Sequence, residues 1–391
     1  MKGALCKGGL LPAAVLAAWS GAALPAEKSG FDFNVEGQVR YDDNVYRTLD
    51  RFAESDTLFV LKPELSWTAL RGKHRFDLSY QGDYAAYLDV TDLNYDDHLL
   101  EGRALLDHSY RLNSEYTLGY RRDHDRPGQT DALSIPVGEV DKWWDAYGDA
   151  RVTYGRDDSK GQIVGQLNYH QRRYTNNRQE FRDYNLVQAI GTFYYRVAPK
   201  TRMLFELDFS DYDYQKRDLF GNNQSNKQYL YLTGVRWEAT AKTTGIFKIG
   251  YRNRDYDSDL YGDLSGLALW LDGIWKPNTY TRVTFGAAED NQNSAQRFSN
   301  GYVRRYIRGG IDHGITPRTL ISAKVQYGTD TFEGPFDRKD NRWYLRLGVS
   351  HSLRRWLDVG AEYRFEQRDS SLDIYDFDAN VFLVSATTRF D

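Results

Sequence analysis

The 391-residue chain is 41% hydrophobic, 27% charged and 15% aromatic, with 30 Tyr, 19 Phe, 9 Trp and a formal net charge of −4. No apolar run long enough for a membrane helix lies outside the extreme N-terminus, which excludes a helical membrane protein. So many aromatic side chains on so small a net charge exclude disorder, and a single cysteine, Cys6, excludes a disulfide framework.

Met1 to Ala26 reads as a secretory signal peptide: Lys2 and Lys7 precede an apolar run from Leu10 to Ala18, and small residues lead to Ala26. The exported chain, 27–391, then lacks cysteine and is expected to form one domain stabilised by its architecture alone. From Phe31 the sequence alternates with period two. Phe31, Phe33, Val35, Val39 and Tyr41 share one face, and Asp32, Asn34, Glu36, Gln38 and Arg40 the other. The pattern recurs in Phe76, Leu78, Tyr80 and Tyr84 against Arg75, Asp77, Ser79, Gln81 and Asp83. It ends with Phe382, Val384, Ala386, Thr388 and Phe390 against Ser385, Thr387 and Arg389.

Short turn signals recur at intervals of roughly 40 residues: Arg71-Gly72, Leu112-Asn113, Arg156-Asp157, Ala198-Pro199-Lys200, Lys242-Thr243, Pro277-Asn278, Thr316-Pro317 and Leu353-Arg354. Longer polar connections lie between them: Asp42 to Ser55, Asp89 to Asp97, Arg122 to Asp141, Arg172 to Arg182, Tyr212 to Lys227, Asp255 to Asp263, Asp290 to Gly301, Thr331 to Asn341 and Asp369 to Asp378. The fold class this predicts is all-β: a transmembrane antiparallel β-barrel of about 18 strands, with short periplasmic turns and long extracellular loops. A soluble sandwich would not segregate short and long connections in this way. Trp67, Trp237 and Trp275 beside the turns, and Tyr41, Tyr84, Tyr120 and Tyr169 near the loops, fit two interfacial girdles.

A barrel of this size holds water, so its inward face is the candidate solute path. That face carries Arg40, Asp77, Asp83, Asp149 and Arg151 in the first half of the chain. In the second half it carries Arg252, Arg254, Arg282, Arg304, Arg308, Arg346 and Arg364, with Glu362 among them. One reading is a slide of guanidinium groups that hold carboxylates or hydroxyls of a passing glycan through weak, exchangeable contacts, with Tyr147, Tyr194 and Tyr344 stacking on sugar rings. The other is that charges on neighbouring strands satisfy one another whatever passes through. The longest loop, Arg122 to Asp141 with Pro127, Gly128 and Pro136, either folds inward as a constriction or covers the mouth.

Catalysis is not expected. The histidines are scattered without paired-ligand or nucleophile motifs, and His124, between Asp123 and Asp125, has no serine placed beside it by the sequence. Asp255, Asp257 and Asp259 suggest a calcium loop, but Leu260 stands where such a loop needs Gly, so a solvated acidic loop is expected and no metal or cofactor is assigned. The acidic balance excludes a nucleic-acid partner.

Tyr41-Asp42-Asp43-Asn44-Val45-Tyr46-Arg47, Lys62-Pro63-Glu64-Leu65, His74-Arg75-Phe76-Asp77-Leu78-Ser79-Tyr80 and the turn Tyr195-Arg196-Val197-Ala198-Pro199-Lys200-Thr201 together resemble the putative β-barrel porin 2 family. Phe390 before the final Asp391 resembles the aromatic-ended last strand by which outer-membrane barrels are recognised for assembly. The resemblance implies a pore in the outer membrane of a Gram-negative bacterium, exporting an exopolysaccharide or capsular polysaccharide. It also implies lipopolysaccharide around the barrel and a periplasmic export partner that delivers the polymer. The alternatives are a passive diffusion porin for small hydrophilic solutes, or a surface-binding barrel acting through its loops.

Overall fold

The computed structural model describes residues 29–131, 138–217, 221, 223–240, 242–258, 261–296, 301–332 and 337–390. The expected signal peptide, Pro136, Asp259, Leu260 and Asp391 lie outside the described residues. Among those described, eighteen strands form one sheet: β1 (Gly30–Asp42), β2 (Asp56–Arg71), β3 (His74–Tyr87), β4 (Tyr95–Ser109), β5 (Leu112–Asp125), β6 (Asp141–Tyr154), β7 (Gly161–Tyr174), β8 (Tyr184–Ala198), β9 (Thr201–Tyr214), β10 (Asn226–Thr240), β11 (Thr243–Tyr256), β12 (Leu264–Trp275), β13 (Thr281–Gln292), β14 (Tyr302–Thr316), β15 (Thr319–Phe332), β16 (Lys339–Arg354), β17 (Leu357–Ser370) and β18 (Phe377–Phe390). Each strand pairs antiparallel with its sequence neighbours, and β1 pairs with both β2 and β18, which closes the barrel. Closure leaves no unpaired strand edge, the condition a sheet must meet to lie in hydrocarbon.

The period-two pattern gives the wall two chemically distinct faces. One is apolar and exposed, with Leu118, Leu207, Ile307, Val325 and Phe382 among its side chains. On the other, side chains meet across two strands: Tyr147 on β6 donates to Glu101 on β4 at 2.8 Å, and Lys248 on β11 donates to Glu206 on β9 at 2.7 Å. Only the concave side brings second neighbours together, so the charged face lines the lumen. At the seam Phe33 on β1 stacks against Phe390 on β18 with centroids 5.6 Å apart, both on the outward face.

Two expected turns are displaced. The connection placed at Leu112-Asn113 is made by Tyr110 and Arg111, and the one placed at Leu353-Arg354 by Arg355 and Trp356. The first turn comes two residues earlier than its polar residues suggest and the second two residues later; in both hairpins a register shift lies beside the turn, at Asp107/Ser109 and Ser352/Arg354. Pro63 sits inside β2, where it cannot donate to the ladder, and lies beside Gly82 on β3.

Candidate functional site

The strand register puts every residue named above as a lumen candidate on the concave face. Arg40 pairs in register with Leu58 and Leu383, Asp77 with Arg103, and Asp83 with Asp97; Asp149 lies between Thr117 and Asn168, and Arg151 between Glu115 and Gln166. On the far wall Arg252, Arg282, Arg304, Arg308, Arg346 and Arg364 occupy the same face of β11, β13, β14, β16 and β17.

Most of these charges are already matched. Lys62 meets Asp83 at 2.8 Å, Arg75 meets Asp77 at 2.8 Å, and Arg304 meets Asp330 at 2.7 Å, with Arg342 on the same carboxylate at 2.9 Å. Arg308 pairs with Asp272, and Arg346 and Arg364 share Glu362. Arg254 donates to Gln228 and Asn293, and Arg40 to Gln38 at 2.7 Å. Arg252 is buried 3.7 Å from Asp290. Interleaved charge therefore accounts for most of the lumen arginines. Among the described residues Arg151, Arg282 and Lys324 have no direct hydrogen-bonding or ionic partner. Arg151 and Arg282 lie within a few residues of the short turns, near the periplasmic end.

Two of the three candidate tyrosines are engaged with the wall, Tyr147 half-buried and Tyr194 buried. Tyr147 lies across Gly119, stacks on His170 with centroids 5.3 Å apart and bonds Glu101. Tyr194 is buried with Val164, Leu204 and Ile246 in an apolar cluster on the lumen side of β7, β8, β9 and β11. Tyr344 lies on the lumen face between Gln326 and Glu366.

At the mouth, the described start of the long connection after β5, Arg126 to Asp131, reaches the far wall. Its carbonyls accept from side chains of the opposite wall: Gly128 O takes a hydrogen bond from Arg342 at 3.2 Å, Thr130 O from Arg368 at 3.1 Å, and Asp131 O from Arg338 at 2.8 Å and Gln296 at 2.9 Å. The Asp131 carboxylate accepts from the Ala295 amide at 2.7 Å and from the Ser294 hydroxyl, in the connection between β13 and β14. Asp131 is 1% exposed. Arg342 and Arg368 lie on the lumen face within three residues of the outer strand ends, so Gly128 to Asp131 are held at the rim of the lumen. The anchors Asp131, Arg338 and Arg342 were not among the sequence candidates. Nothing in their spacing links a loop after the fifth strand to the sixteenth.

The first loop supports this crossing. Asn44 donates to Thr48 O at 2.7 Å and Asp378 O at 2.9 Å, and Arg47 reaches Asp42 at 2.8 Å and Glu366 at 3.1 Å. Burial opposes the charge on Arg47, but Glu366 and Asp42 hold its guanidinium protonated well above the usual arginine range. Arg47 adopts φ 58°, a conformation a side-chain-bearing residue keeps only where its surroundings demand it. Its side chain packs against Gly128 of the crossing loop.

Comparison with known proteins agrees with this architecture. A family model described as putative beta-barrel porin 2 matches residues 32–390. No functionally curated protein matches the sequence. Among solved structures, Pseudomonas aeruginosa OccK2 (OpdF) in complex with glucuronate is similar at 12% identity and a TM-score of 0.53, over 93% of this chain and 99% of that one. P. aeruginosa OpdK with vanillate is similar at 11% identity and a TM-score of 0.51, over 92% and 99%. At such identities the likeness is one of fold.

Proposed function

The chain belongs to the putative beta-barrel porin 2 family, a β-barrel of the Gram-negative outer membrane, and on that premise we propose that it is a passive, non-catalytic diffusion channel for small hydrophilic solutes. The observation that carries this reading is the segment at the mouth, Arg126 to Asp131, tied to the far wall through Asp131 and the carbonyls of Gly128 and Thr130. A barrel of eighteen strands would otherwise leave a wide aqueous channel; a segment anchored across it favours small solutes over a threaded polymer. Polysaccharide export, which the family resemblance implies, finds no support in the comparisons. Two barrels of similar fold were solved with glucuronate and vanillate, both small organic carboxylates. Arg151, Arg282 and Lys324, left without carboxylate partners, provide cationic points along such a solute's path.

Swelling of liposomes that contain the purified barrel tests the reading. Monosaccharides and small organic acids should enter rapidly, with a steep decline at larger oligosaccharides. Absence of flux, or flux indifferent to size, would remove the diffusion channel from the account.

A further inference from the structure

At the outer rim the pairing of His98 with Arg122 sets Asp97 on β4 across from Asp123 on β5. Like charges opposed on an antiparallel pair repel, yet a carboxylate oxygen of each lies within 4.8 Å of the other. Few donors meet them. His124 Nδ1 lies 2.9 Å from Asp97 and 3.8 Å from Asp123, and the His124 amide donates to Asp123 at 2.8 Å. Arg126, drawn also toward Asp83 at 3.6 Å, stays 4.0 Å from Asp97, beyond hydrogen-bonding reach. Lys142, opposite His124 in the register, is engaged with Glu139. Among the described residues no other side chain donates to Asp97 or Asp123. Asp97 is 9% exposed and His124 4%.

Two carboxylates held this close, one buried and one half-buried, are relieved by a shared proton or a cation. Here an imidazole nitrogen joins them, with the three donor atoms all within 4.8 Å of one another. Beside them is a cavity of about 10 Å³, close to one water-sized sphere. We propose that Asp97, Asp123 and His124 Nδ1 bind one divalent transition-metal ion, with water completing its coordination. The nitrogen favours an ion of the zinc class over magnesium or calcium, which prefer an all-oxygen shell. With its proton on Nε2, His124 offers the Nδ1 lone pair to the metal, and Tyr95, packed at a tilt with ring centroids 4.3 Å apart, holds the imidazole in place. Arg126, two residues beyond His124, begins the loop that crosses the mouth, so the ion would pin the root of that loop. The proposal does not depend on what permeates, because binding is measured on the folded barrel whether or not solutes pass.

The test is calorimetric titration of the detergent-folded full barrel, stripped with EDTA and dialysed, with Zn²⁺, Ca²⁺ and Mg²⁺ in turn. One Zn²⁺ per chain is expected, weakened about tenfold or more in His124→Gln and lost in the double variant Asp97→Asn/Asp123→Asn. Heat-modifiable gel migration verifies that each variant is folded. Should the double variant not fold, the Co²⁺ absorption spectrum of the wild type and of His124→Gln takes its place, with visible bands expected in the first and altered in the second. A folded wild type that binds no Zn²⁺, variants that bind it unchanged, or a preference for Ca²⁺ would each overturn the site, the first leaving a shared proton between the carboxylates.

Discussion

Gly119 lacks a side chain at the one place where Tyr147 needs the room. A Cβ there would sit 2.1 Å from Tyr147 Cζ, so the glycine lets the ring lie flat on the wall, stacked on His170 and bonded to Glu101. Aromatic rings laid over strand glycines recover packing that the glycine gives up. Gly119→Ala should force Tyr147 off this rotamer and break its bond to Glu101, at about 1–3 kcal/mol. The folded barrel's urea midpoint, followed by tryptophan fluorescence in micelles, should fall; an unchanged midpoint would mean that the ring has an equally good alternative. The sequence marks Tyr147 as inward by its parity, but inward parity does not distinguish a ring presented to solute from one held against the wall. That difference lies in a glycine on the adjacent strand.

Among the elements, the loop after β5 is the one tied across the mouth. Gly128 has φ +71°, and a Cβ there would lie 2.8 Å from Arg47 Cγ and 2.9 Å from Phe377 Cζ, so the loop passes close over both. Gly128→Ala is therefore strained by conformation and by contact alike. Asp131→Ala acts at the other anchor, leaving the Ser294 hydroxyl and the Ala295 amide without their acceptor, an effect of about 1–3 kcal/mol confined to the loop. Both variants should raise single-channel conductance in planar bilayers while the barrel keeps its folded gel mobility. Conductance equal to wild type in both would mean that the loop does not limit the pore. The Tyr41–Arg47 motif finds its place here too: Asp42, Asn44 and Arg47 brace the first loop against β17 and β18, directly beneath the crossing.

For the whole molecule, the lumen's field is what remains after pairing. Arg346 and Arg364 share Glu362, Arg308 holds Asp272, and Arg304 and Arg342 hold Asp330, so these arginines are largely neutralised where they stand. Arg151 on β6 and Arg282 on β13 lie on distant sectors of the wall without such partners. Arg151→Gln and Arg282→Gln, each made singly, should shift the reversal potential in a salt gradient toward cations, whereas Arg346→Gln should shift it less, because the Glu362 it leaves is still held by Arg364. Equal shifts would show that pairing does not govern selectivity. At low salt the contrast is largest, since screening shortens the reach of every exposed charge.

The sequence by itself determined the barrel. Period-two alternation assigns each residue to the lipid or the lumen, and the alternation of short turns with long loops sets the strand number and the end at which each connection lies. Both are local properties, legible because a strand's side chains alternate regardless of what the strand pairs with. Only the tertiary structure decided which lumen charges neutralise one another, because a partner two strands away is distant in sequence. It alone brought Asp131 to Ser294 and Arg338, and Asp97 to Asp123 and His124. Closure of a sheet makes neighbours of residues that no periodicity relates, so the wall could be read residue by residue while the mouth could not.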